Sequence, residues 1–276
     1  MAKVFSVFLR LAALGAALSS GLLSAAGDET PGAVARLKAG ARINCPGEYP
    51  GHLQGMATDG NSIYWSFSNH VVRTDLKGKL LAKREVPSHS GDPCWENGRL
   101  YVPIGEYFNA ETPKGKTANN RVLVFDSDLK QVKKYRLPGF KYGAGGMAAY
   151  KGRFFVVGGR PEKMPGNTVY EYSPAFRLIR RHQLKFDSHI GIQTINRAFG
   201  RWYFGCYGIG NFAVVADDRF NITGRVRPQL SVGMIPLAEK DLVLIGMVKW
   251  NKDSRHSSAC AVAMRLTPDA AAPKTP

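Results

Sequence analysis

Three of the six histidines in this 276-residue chain stand in matching surroundings. His52 opens "HLQGMAT", His89 opens "HSGDPCW" and His189 opens "HIGIQTI", each a short run rich in small and apolar residues. Neutral imidazoles delivered by separate strands suit a divalent metal ion, with Gln193 or Asp92 adding an oxygen ligand. The same imidazoles suit proton transfer near neutral pH, with Tyr207 as a further catalytic candidate. Asp92, Tyr142, Arg160 and Trp250 are candidates for holding a substrate: Arg160 clamps a carboxylate, and Trp250 offers a ring for stacking. A histidine at the head of a strand also serves to fix neighbouring backbone. The chemical reading therefore depends on whether the three meet.

What must position them is a repeat. A turn residue followed by an apolar, aromatic-rich run recurs at Gly60, Gly98, Gly152, Gly200 and, more weakly, Lys240, at spacings of 38, 54, 48 and 40 residues. That period is close to one four-stranded propeller blade. Before each turn lies a small-residue strand, and after each aromatic strand comes a third ("RVLVFDSDLK", "TVYEYSPAFR") and a charged fourth ("LLAKREV", "IRRHQLK"). Short β-branched and aromatic runs between Gly and Asp turns are strand and hairpin signals. The fifth unit lacks a fourth strand, and the segment 33–43, "AVARLKAGARI", is left over at the front. The pattern predicts an all-β, five-bladed β-propeller over 27–268, closed by that N-terminal strand; six blades would leave too few strands. In such a ring the loops entering the inner strands, and those joining second to third strands, gather around the axis on one face. They carry His52, His89, Tyr142, His189 and Ser231, together with loops 68–70, 106–109, 160–163, 206–208 and 249–250.

Ring closure also bears on the four cysteines, Cys45, Cys94, Cys206 and Cys260. No C-x-x-C spacing is present, which disfavours a zinc ribbon or a redox pair. Cys45 follows the closing strand and Cys260 begins the strand it should pair with, so a Cys45–Cys260 disulfide stapling the seam is expected. Cys94 sits inside an inner strand and reads as a small core residue.

Residues 1–26 combine Lys3 and Arg10, a short apolar run and a small-residue stretch, Ser24-Ala25-Ala26. This is the pattern of a cleaved secretory signal peptide, and it places the mature chain outside the cytoplasm, secreted or periplasmic. No later stretch is long and apolar enough to span a bilayer. Loss of Lys3 and Arg10 takes the formal charge from +17 to +15. An exported basic chain suggests an anionic carbohydrate or other polyanion as partner. The basic residues are spread out, and no nucleic-acid fold signature accompanies them, so specific nucleic-acid recognition is not expected. The last residues, 269–276, read as a disordered tail. Gly143–Gly146 precedes no helical pattern, which argues against a phosphate cradle, and no G-x-S-x-G, H-E-x-x-H or EF-hand pattern occurs.

Taken as a whole, the mature chain resembles secreted bacterial β-propellers, many of which act on carbohydrate. Its His-rich axis is similar to that of oligogalacturonate lyases, which implies a metal held by histidines and a glutamine. Five-bladed glycoside hydrolases are similar in blade number, but they use paired acids, and here Asp92 is the only acid at the inner-strand entrances. Two functions stand open. One is a lyase acting on acidic sugars, in which a base takes the proton α to a uronate carboxylate while a metal or Arg160 stabilises the charge. The other is a non-catalytic propeller that binds a glycan, an envelope component or a protein.

Overall fold

The computed structural model describes residues 32–106 and 119–269. The expected signal peptide, residues 107–109 of the second-blade loop and residues 270–276 of the tail lie outside the described residues. Strand β1 (Arg42–Pro50) is followed by four consecutive meanders. Blade one is β2 (Leu53–Thr58), β3 (Ser62–Phe67), β4 (His70–Asp75) and β5 (Leu80–Glu85). Blade two is β6 (Cys94–Glu96), β7 (Arg99–Ile104), β8 (Arg121–Phe125) and β9 (Gln131–Arg136). Blade three is β10 (Ala144–Tyr150), β11 (Arg153–Gly158), β12 (Asn167–Tyr172) and β13 (Leu178–Leu184). Blade four is β14 (Ile192–Ala198), β15 (Arg201–Cys206), β16 (Ala213–Ala216) and β17 (Ile222–Arg227). Blade five is β18 (Met234–Pro236), β19 (Leu242–Trp250) and β20 (His256–Arg265), with β1 as its fourth strand. The molecule is a five-bladed β-propeller.

The local sequence explains the blades. The inner hairpins turn through Asn97-Gly98, Lys151-Gly152 and Phe199-Gly200, each pair with positive φ at both residues. That geometry matches the twist of tight hairpins, and glycine adopts it at low cost. Each second strand is buried on both faces and sends alternate side chains to opposite neighbours. In β3, Ile63, Trp65 and Phe67 pack toward blade five, whereas Tyr64 packs toward blade two. Five apolar clusters result, one wedged into each gap between adjacent blades. The outermost strands β5, β9 and β13 are largely exposed, which is why they read as charged.

Closure occurs as expected but with a later strand. Residues 34–36 form a 3₁₀ turn anchored by the buried Val34, and the chain turns again through Lys38 and Ala41 before pairing begins at Arg42. The closing strand is therefore Arg42–Pro50 rather than 33–43. A further two-residue strand, β21 (Thr267–Pro268), extends blade four alongside β17. Asp269, the first residue of the expected tail, is buried and accepts a hydrogen bond from Arg227 Nε at 3.0 Å.

The expected seam disulfide is not formed, and all four cysteines are free. Register decides this. Cys45 lies opposite Ala259 and Cys260 lies opposite Asn44, so the two cysteines are one position out of step. In a strand pair a one-residue offset sends side chains to opposite faces. Cys45 points into the gap toward blade one, while Cys260 shares its face with its cross-strand partner Met247.

The five inner segments press close together around the axis. A Cβ added to Gly55 of blade one would stand 2.3 Å from Cα of Asp92, and one added to Gly233 of blade five would stand 2.6 Å from the Met56 nitrogen. Only glycine permits such approaches. Asp92 uses this proximity. Its Oδ1 accepts the Met56 N–H of blade one at 3.0 Å, and its Oδ2 lies 3.4 Å from Nδ2 of Asn196 in blade four. Its own backbone bonds Gly145 and Met147 of blade three.

Candidate functional site

His52 enters blade one just ahead of β2. Its Nδ1 lies 2.7 Å from the Leu53 carbonyl, which accepts only if Nδ1 carries the proton. That fixes the tautomer and leaves Nε2 as an acceptor. Nε2 receives the amide Nε2–H of Gln54 at 3.2 Å, and the same amide nitrogen lies 3.1 Å from Nε2 of His89 in the segment entering blade two. An amide NH₂ has two hydrogens, and three acceptors stand within reach of them: the two imidazole Nε2 atoms and Ser68 Oγ. Ser68 Oγ completes the group, 3.3 Å from both the amide nitrogen and the His52 backbone nitrogen. Burial lowers the His52 pKa, against the opposing pull of the Leu53 carbonyl. Burial, then the neighbouring His52, lowers that of His89. Both imidazoles are therefore neutral at neutral pH.

The outward side of His52 faces a cleft of about 610 Å³ between blades four and five. Its ring lies 5.3 Å from the Trp250 ring and 6.1 Å from the Tyr207 ring, centroid to centroid. Trp250, at the end of β19, is 46% exposed, and burial pushes the Tyr207 hydroxyl pKa up to about 12. Met247, Met264, Val232 and Ile245 supply apolar wall, while Asn211, Gln229 and Ser231 supply hydrogen-bonding groups. Among the described residues that line it there is no Lys, Arg, Asp or Glu. The cleft can hold a ligand that has an apolar face and hydrogen-bonding substituents.

Of the residues singled out in the sequence, His52, His89, Tyr207 and Trp250 come together, and His189 does not join them. Its side chain is half-exposed, with Nδ1 3.6 Å from Glu162 Oε1, in a depression it shares with Arg160 and Asp187. Gln193 is buried in β14 at the axis, where its carbonyl faces Gly146. Among the described residues, no group of three or more His, Cys, Asp or Glu converges to hold a metal ion. The expected ligand set of His52, His89, His189 and Gln193 is thus not assembled, because the pair nearest to convergence is spanned by an amide instead. Asp92, expected to touch substrate, is 1% exposed and binds the blades together. Burial raises its pKa well above the ordinary carboxylate value, with hydrogen bonds from Met56, Asn196 and Ile195 opposing. Tyr142 and Arg160 lie in blade three, lining a smaller cavity of about 280 Å³.

Sequence reasoning missed Gln54. The available signal was position: Gln54 is two residues beyond His52, and alternate residues of an extended segment share a face. A polar side chain at 2% exposure in a strand buried from Leu53 to Ala57 needs a partner, and the histidines are that partner.

No protein-family model and no curated protein sequence matches this chain. Solved structures do. Glutaminyl cyclase from Myxococcus xanthus is 12% identical, covering 84% of this chain and 100% of its own, with a TM-score of 0.51. XC5397 of Xanthomonas campestris, a gluconolactonase, is 12% identical over 76% of this chain and 72% of its own, at a TM-score of 0.48. A Bacteroides caccae protein of unknown function is 15% identical over 73% of this chain and 72% of its own, also at 0.48. At such identities the likeness is one of fold alone.

Proposed function

We propose that this propeller binds a glycan, seating an uncharged sugar ring in the cleft between blades four and five. One observation carries the reading: Trp250, Tyr207 and His52 converge at ring distances of 5.3 and 6.1 Å around a cleft whose described lining residues include no Lys, Arg, Asp or Glu. An aromatic face covers the apolar side of a sugar, while Asn211, Gln229 and Ser231 meet its hydroxyls. Among the described residues the cleft lining includes no Lys or Arg to stand beside the charge that develops when a uronate α-proton is removed, which supports the binding reading. The export-type pattern of 1–26 and the +15 charge that remains without it support action outside the cytoplasm in polyanionic surroundings.

A specific feature favours a second, catalytic reading. The Leu53 carbonyl holds His52 as a neutral Nδ1–H imidazole, which is how a general base is oriented. In that reading His52 Nε2 leaves Gln54 to accept a proton from a bound ligand. The test is a titration of tryptophan fluorescence with a panel of neutral oligosaccharides, for wild type and Trp250→Ala. Saturable binding that Trp250→Ala weakens about tenfold supports the glycan reading. Absence of saturation across the panel, or equal affinity in the variant, removes it. Product formation from a bound sugar that His52→Ala abolishes would establish the catalytic reading in its place.

A further inference from the structure

We propose that the ligand of the cleft between blades four and five is an amphiphile, a neutral sugar joined to an alkyl or acyl chain; this rests on the glycan reading of that cleft and extends it. The cleft is polar at one end and apolar toward the other. Asn211 lies in the connection from β15 to β16, and Gln229 and Ser231 lie in the connection from β17 to β18. Both connections open at the end of the gap where β19 finishes at Trp250, beside His52 and Tyr207. Met264 lies at the opposite end. It pairs with Val243, seven residues before Trp250, or about 23 Å along the strand. Between the two ends, Ile245 and Met247 face the same side of the sheet as Met264, because their partners Val262 and Cys260 alternate with it along β20.

This apolar wall is open. Met247 is 46% exposed and Met264 is 40% exposed, and both line the cleft with the equally exposed Trp250. The other exposed large hydrophobic residues among those described, Leu80, Leu81, Val132 and Ile179, stand on the outer strands of three different blades. Exposed apolar surface gathered along one cleft marks a binding surface more than scattered residues do. A sugar ring seated against Trp250 fills the polar end and does not reach Met264. A chain attached to that sugar runs along the wall, and methionine, flexible and polarisable, packs against such a chain without demanding one shape. The described lining residues include no Lys or Arg to meet a phosphate or carboxylate, so a neutral sugar suits the polar end.

The experiment is calorimetric titration of the full chain with methyl and octyl β-glucoside, methyl and octyl β-galactoside, and 1-octanol. The octyl glycosides are kept below the concentration at which they form micelles. Each methylene moved from water onto an apolar wall gains about fourfold in affinity, so an octyl glycoside is expected to bind at least about tenfold tighter than its methyl partner. Met264→Gln should weaken the octyl glycoside about fivefold and the methyl glycoside less than about twofold, because Met264 stands far from the sugar. The methyl and octyl comparison on the wild-type protein still decides if that variant fails to fold. Equal affinity for methyl and octyl glycosides overturns the inference and leaves the glycan reading in place. Octanol binding as tightly as the octyl glycosides overturns both, since the sugar then contributes nothing. Failure of both octyl glycosides to bind also overturns the inference, as does a dimer that Met264→Gln dissociates, which would put a second copy of the chain on the wall.

Discussion

His52 and His89, from neighbouring blades, turn their Nε2 atoms toward a single amide nitrogen, at 3.2 and 3.1 Å. Neither ring can gain a proton there without facing an N–H with an N–H. The Gln54 amide therefore does more than bridge two side chains, because it selects the neutral form of both. Replacing it with a carboxylate reverses the preference. In Gln54→Glu, the proton affinity of both imidazoles should rise about tenfold or more, as an opposite charge at this distance does. Histidine ring NMR against pH reads this directly, and unmoved midpoints would show that the bridge does not exist in solution.

The same pair makes stability depend on acidity. Burial lowers both folded-state pKa values below that of a free histidine. The unfolded chain therefore binds more protons as pH falls through about 6.5, and stability drops with it. Above that pH the contribution is complete. Asp92, whose pKa is raised, acts with the opposite sign, favouring the folded state as it protonates. The expected outcome is a melting temperature that falls from pH 7.5 to pH 5.5, less steeply in His52→Asn/His89→Asn. Parallel slopes in the two proteins would place the acid sensitivity elsewhere.

Asp92 is the residue whose loss should damage the scaffold most. Asp92→Ala removes the acceptor of the Met56 N–H and of the Asn196 amide at the axis. A loss of about 3 kcal/mol in unfolding free energy is expected. Urea denaturation measures it, and a loss below about 1 kcal/mol would contradict the tethering role.

The cysteines yield a prediction whose signature is the lack of any change. Thiol reductant should leave the unfolding midpoint where it is, whereas a seam disulfide would contribute about 2–4 kcal/mol. Alkylation under denaturing, non-reducing conditions should modify all four cysteines, seen by intact mass. Cys45, 4% exposed with its pKa raised by burial, should react far more slowly in the native protein.

The architecture was legible because a blade writes its pattern twice. The hairpin geometry demands Asn97-Gly98 and Lys151-Gly152, and burial on both faces demands runs such as "SIYWSF" between charged fourth strands. Ring closure was legible too, since a fifth unit lacked a strand and the front of the chain held one. Its register was not, because one residue separates a Cys45 opposite Cys260 from the actual pairing with Ala259, and composition does not resolve one residue. The geometry of the candidate site was legible in part. His52, His89, Tyr207 and Trp250 hold positions in the repeat that the fold brings near one another, whereas His189, in an equivalent position, lies apart from them. Equivalent positions in a ring share a face without sharing a point, and only the side-chain directions separate the two. Asp92 sits where the inner segments press together, so an acid expected to face a ligand is 1% exposed and meets backbone of the neighbouring blade.

The seam in blade five has a bearing on how the molecule comes into being. Arg42 pairs with Val262, so a strand near the front of the chain waits for one near its end. During synthesis β1 leaves the ribosome with no sheet to join, and blade one emerges beside a missing neighbour. Until β20 is free, the growing ring has two open edges and the unfilled half of an apolar gap. The ring is therefore a timing problem as well as a shape. A chain halted before residue 256 cannot shut, however well its first four blades have formed.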